Sequence, residues 1–152
     1  MQRLPDWQRR LANTISTAHH VPFAWGTWDC ALAACRLIHA VTGVDPAESY
    51  RGKYADEAGA IAILGASDLG TFAASVAASY GMEEVPPLLA RRGDLVLVNN
   101  APPPRATAEN SAPVPTSALG IVGLDPRFAH CAAEHGMKRI ALHRWLRAWR
   151  VG

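Results

Sequence analysis

The sequence predicts an α+β fold in a single domain over residues 1–152, a helical N-terminal half packed on a small antiparallel C-terminal sheet. Apolar residues recur at helical spacing through the N-terminal half. The final third alternates short apolar runs with turn residues. A chain of 152 residues, 49% of them hydrophobic, suits one core.

Trp7, Leu11, Ile15 and Ala18 predict a first helix from Pro5 to about His20, with Pro5 suited to the first turn. Val21 to Trp28 breaks this period and holds Pro22 and Gly26, so it reads as a loop. A second helix follows from about Asp29 to Thr42. Asp29 is placed to be its N-cap and Gly43 its stop. Ala33, Ala34, Leu37, Ile38 and Val41 make it apolar over a wide arc, as a buried central helix requires. The turn-rich "VDPAESYRGKYADE" leads to two alanine-rich helices, about Ala55 to Leu64 and Leu69 to Tyr80, the latter stopped by Gly81.

Gly93-Asp94 turns the chain into the first clear strand, Leu95 to Asn99. The stretch from Ala101 to Thr116 holds five of the 11 prolines and few bulky apolar residues, which predicts an exposed loop able to meet a partner. A meander then follows. "SALGIVGL", "FAHCAA" and "MKRIAL" read as strands, and "DPR" and "EHG" as turns. Trp145 and Trp149, four apart in "HRWLRAWRV", would share one face of a short helix, with a closing strand as the alternative.

The net charge of +2 makes the whole chain a poor polyanion binder. Arg139, Arg144, Arg147 and Arg150 cluster near the C-terminus, but no nucleic-acid motif accompanies them, so no nucleic-acid partner is expected. No continuous apolar run reaches the roughly 18–20 residues of a membrane span. "MQRLPDWQRRL" has charge but no apolar signal core, which predicts a protein made and kept in the cytoplasm unless carried out within a larger assembly. Three cysteines, Cys30, Cys35 and Cys131, argue against a disulfide scaffold, and no spacing suggests a metal site or a cofactor.

Cys30 opens the central helix. Unpaired N–H groups and the positive dipole end favour a thiolate there, lowering the thiol below its usual value near 8.5. A buried apolar cysteine is the competing reading. A nucleophile needs a base. His19 and His20 close the first helix, His39 lies well beyond Cys30, His135 lies in a turn, and His143 precedes the terminal tryptophans. His130 sits mid-strand, either as a hydrogen-bonded strand histidine or as a base.

Several of these motifs together resemble the NlpC-type cysteine peptidases, papain-like enzymes that cut peptide stems of bacterial peptidoglycan. They are Trp25-Gly26, Asp29-Cys30, "RRGDLVLV" from Arg91 to Val98, "ALGIVGL" from Ala118 to Leu124, and "FAHC" from Phe128 to Cys131. The likeness spans about Phe23 to Leu142, with an unusual helical middle. It implies a papain-like fold with Cys30 at the nucleophile position and His130 at the third polar position. The histidine that serves as base in such enzymes is here Ala118, which cannot accept a proton. In an even-sum strand pairing, His130 would face the side of Ala118 and approach Cys30 as a displaced base.

"TGVDP", "RGKY", "ARRGDLVLV", "ALGIV" and "RAWRV" further resemble short tail proteins of phages, prophages and gene transfer agents. That resemblance implies a structural protein of a tail tip or baseplate hub with a degenerate peptidase site. It would be made in the host cytoplasm, built into the virion tail, and partnered by other tail-tip and hub proteins. The alternative it leaves is an active cysteine peptidase or amidase acting on peptidoglycan during genome entry. A third reading is an assembly factor that leaves before the particle matures.

Overall fold

A computed structural model describes residues 1–66, 68–102 and 116–152. Most of the proline-rich stretch expected as an exposed loop lies outside the described residues.

Helix α1 spans Trp7–Ala18 and buries Leu11, Ile15 and Ala18. It starts two residues after Pro5, and Asp6 pairs with Arg9 at 2.7 Å instead of capping. Helix α2, Cys30–Thr42, buries Leu32, Leu37, Ile38 and Val41 completely. Gly43 ends it in the left-handed region, φ +78°, where a side chain would be strained, and its N–H closes on His39 O at 2.8 Å. Helices α3 (Glu57–Leu64) and α4 (Leu69–Ser79) are capped by Asp56 and Asp68, which accept from Gly59 N and Thr71 N. The stretch Glu57–Ser79 is apolar enough for a membrane span by mean hydropathy, 1.5, although no continuous apolar run is that long. Gly65, at φ +65°, ends α3 inside it.

Among the described residues, six strands form one antiparallel sheet: β1 (Glu84–Val85), β2 (Leu95–Asn99), β3 (Ser117–Val122), β4 (Phe128–Ala133), β5 (Gly136–Ala141) and β6 (Trp145–Trp149). Their order is β1-β6-β2-β3-β4-β5, so the last strand returns between the first two. One core joins α1, α2 and α4 to Leu95, Leu97, Leu119, Ile121, Met137 and Trp149. A second, on the opposite sheet face, gathers Val96, Val98, Ala118, Val122, Cys131 and Trp145.

The chain end is thus the closing strand, and the tryptophans do not share a face. Leu97 pairs with Arg147 but Val98 with Trp145, so the register skips Leu146. This bulge reverses the alternation. Trp149 enters the helix-side core and Trp145 the other.

Asp94, wholly buried, joins both ends of the described fold. Its carboxylate accepts from Arg91 N at 2.8 Å, Val151 N at 3.1 Å and Arg3 Nη2 at 2.7 Å. Arg3 also donates from Nε to Val151 O at 2.7 Å and stacks 4.6 Å from the Trp7 ring centre. The aspartate of the "GDLV" segment therefore has a structural task.

Candidate functional site

The loop before α2 is shaped by its glycine. Gly26 has φ +76°, and a Cβ there would lie 1.9 Å from Tyr54 O. Its N–H donates to Asp29 Oδ2 at 2.9 Å, and its carbonyl accepts from Gly52 N at 2.8 Å. The aromatic residues beside it pack edge to face, with Phe23 and Trp25 ring centres 5.1 Å apart.

Asp29 is the expected N-cap. Oδ1 accepts from Ala31 N and Leu32 N, each at 3.0 Å, and Oδ2 accepts from Gly26 N and from Tyr54 Oη at 2.7 Å. A carboxylate buried to 2% exposure thus has four donors, which is what its burial requires. The "RGKY" segment supplies Gly52 and Tyr54 to this arrangement. The "TGVDP" segment supplies Asp45, which pairs with Arg51 at 2.7 Å, while Arg51 reaches Leu32 O at 3.2 Å. Burial and the Asp29 carboxylate hold the Tyr54 hydroxyl well above its usual range.

Cys30 follows directly, half-buried. Its thiol is not lowered, as the helix position alone suggested, but pushed up to about 11. Burial is the first cause and the Asp29 charge the second, with Lys138 and a backbone hydrogen bond opposing. The physical reason is that Asp29 occupies the helix N–H groups and sets a negative charge beside the sulfur. Burial likewise pushes Cys35 and Cys131 up to about 12.

Cys30 lies on a cleft of about 300 Å³ whose lining includes Phe23, Trp25, Ile61, Leu69 and Ser117. Its sulfur side packs against the second core, which holds Ala118 and Cys131. Ala118 is 0% exposed and pairs with Val98.

The strand register turns His130 away from the sheet face of Ala118 and Cys131, against which Cys30 packs. The pairing sets Gly120 against Cys131 and Ile121 against His130, so the register is odd-sum and not the even-sum pairing that would bring His130 to the Ala118 side. His130 therefore shares the face of Ile121, and Ala118 that of Cys131. The His130 ring covers Gly123, where a Cβ would lie 2.6 Å from Nε2. Its Nδ1 is buried without a hydrogen bond. Burial, then Arg139 and His19, lower its pKa. No hydrogen bond links it to Cys30 among the described residues.

The cation that does act on the two thiols is Lys138, which pairs with Cys131 across β4 and β5 and donates to Asn100 Oδ1. The sequence carried one signal for it: strand alternation puts Lys138 on the same face as buried Ile140. Chemically, the site presents a protonated thiol near neutral pH at the wall of a mainly apolar cleft, with a lysine behind it.

No match is found among curated proteins. A family model described as a domain of unknown function, DUF6950, matches residues 2–151, and the chain belongs to that family.

Proposed function

We propose that the protein is a structural component of a bacteriophage or phage-like tail tip, a baseplate-hub module with an NlpC-like fold whose proton-transfer chemistry is lost. The observation that carries this is the pair Cys30 and Ala118. The thiol is held near 11, and the position of the expected base is a buried alanine with no proton acceptor. The tail location rests on the resemblance of "TGVDP", "RGKY", "ARRGDLVLV" and "RAWRV" to tail proteins. Its partners in this reading are other tail-tip and hub proteins.

The cleft beside Cys30 favours a second reading, a cysteine peptidase or amidase acting on peptidoglycan. Zymography on purified peptidoglycan separates the two. Equal inactivity of wild type and Cys30→Ala is expected, and lysis that disappears in Cys30→Ala overturns the structural reading. The location is tested by mass spectrometry of purified tail particles. The protein should co-purify in fixed proportion to the other tail-tip subunits, and particles lacking it would sink the assignment.

A further inference from the structure

We propose that the surface formed by Pro87–Leu89 and the turn into β2 docks an acidic protein segment bearing apolar side chains. This surface shares no residue with the lining of the Cys30 cleft, so its test is independent of whether Cys30 has any activity.

Leu88 and Leu89 are 80% and 60% exposed, the most exposed large apolar side chains among the described residues. They sit on a single 3₁₀ turn. Arginines stand on one side of them. Arg150 Nη2 lies 3.4 Å from Leu89 O, and Arg3 Nη1 donates to Arg92 O at 2.6 Å. Arg91 and Arg92 are exposed, and their side chains have no hydrogen bond or ion pair among the described residues.

Two guanidinium groups, those of Arg3 and Arg150, thus meet at one buried carboxylate, Asp94, while those of Arg91 and Arg92 stay free of it. Its oxygens are directed inward to Arg3, Arg91 N and Val151 N, with Arg150 Nε 3.6 Å away. Glu83, whose carbonyl accepts from Arg150 N at 2.8 Å, is an exposed acid on the rim. Burial pulls the Arg3 guanidinium below its ordinary value, Asp94 opposes this, and the like charges of Arg150 and Arg91 add to it. The local excess, Arg3, Arg91, Arg92 and Arg150 against Asp94 and Glu83, is positive.

An arriving carboxylate would relieve that repulsion, and arginine forks match carboxylates bidentately. The two leucines provide the apolar anchors that protein interfaces use at their centre. A nucleic-acid backbone would leave those leucines in water. A membrane surface calls for a longer apolar helix face than one turn offers.

The test is fluorescence anisotropy of the full chain with a short labelled peptide of alternating Glu and Leu. Binding should fall about tenfold or more in Arg91→Glu/Arg92→Glu and likewise in Leu88→Ser/Leu89→Ser. Because these side chains are exposed, both variants should melt as wild type does. The proposal is overturned by absence of binding, by equal binding of a Lys/Leu or Glu/Ser peptide, or by variants that bind as wild type. Displacement of the peptide by a DNA duplex or by phosphatidylcholine–phosphatidylserine vesicles at lower concentration would equally overturn it.

Discussion

The Tyr54 hydroxyl donates to Asp29 Oδ2 at 2.7 Å, so the connection after α2 is fastened to the residue that caps α2. Asp29→Ala removes the cap and leaves Gly26 N–H and the Tyr54 hydroxyl without their acceptor. We expect a loss of about 3 kcal/mol or more by urea unfolding. Tyr54→Phe, which removes one hydrogen bond, should cost about 1 kcal/mol. Asp29→Asn keeps an acceptor for the helix N–H groups and should lie between wild type and Asp29→Ala. A cost below about 1 kcal/mol for Asp29→Ala would show that the cap is not an anchor.

The height of the Cys30 thiol predicts slow chemistry. With its pKa near 11, the thiolate fraction at neutral pH should be roughly 100- to 300-fold below that of a free cysteine, whose ordinary value lies between about 8.5 and 9.0. Iodoacetamide alkylation, followed in a Cys35→Ala/Cys131→Ala background, should be correspondingly slow and rise with pH toward that value. Asp29→Asn removes a negative neighbour and should shift the profile down. Lys138→Met removes the opposing positive charge and should shift it up. A profile centred below pH 8 would contradict the geometry.

Alkaline pH should unfold the protein through the same groups. In the fold Cys30, Cys35 and Cys131 are raised to about 11, 12 and 12 from an ordinary 9.0, and Tyr54 is raised as well. The folded state therefore keeps protons that the unfolded chain releases. Their contribution is complete below the unfolded values near 9 and is lost as pH climbs through the folded ones. Urea midpoints should fall steadily across that window. Cys35→Ala/Cys131→Ala should flatten the fall, and an unchanged slope would refute the linkage.

Asp94→Ala should be among the most damaging single changes. It strands Arg3, which has only 19% side-chain exposure, and frees the Arg91 and Val151 N–H groups. Loss of one partner from a buried ion pair costs about 3–5 kcal/mol. Chemical denaturation measures this directly. The cost should change little with salt, because the pair is shielded from solvent.

Much of the helical half was legible in the sequence because its signals are local. Asp29 and Gly43 act on the backbone beside them, so both ends of α2 stand where the residues put them. Strands β2 and β4 were legible for a similar reason, being short apolar runs bounded by turns. Strand β1 was not, since Glu84 and Val85 are a strand only through pairing with Trp149 and Ala148, far away in sequence. The face taken by His130 depended on the register across the Gly123–Arg127 turn, and composition does not state a register. The lowered thiol expected for Cys30 failed because the residue that caps the helix is also the charge that opposes the thiolate. Lys138 was overlooked because its neighbours read as an ordinary edge strand.

The irregularity at Leu146 also acts as a lock. Were β6 to slide by one position, Trp149 would have to leave the helical side while Trp145 crossed in the opposite direction, and both indoles would lose the cores they now fill. Slippage is therefore blocked from both sides of the sheet at once, and the last strand can settle in only one alignment.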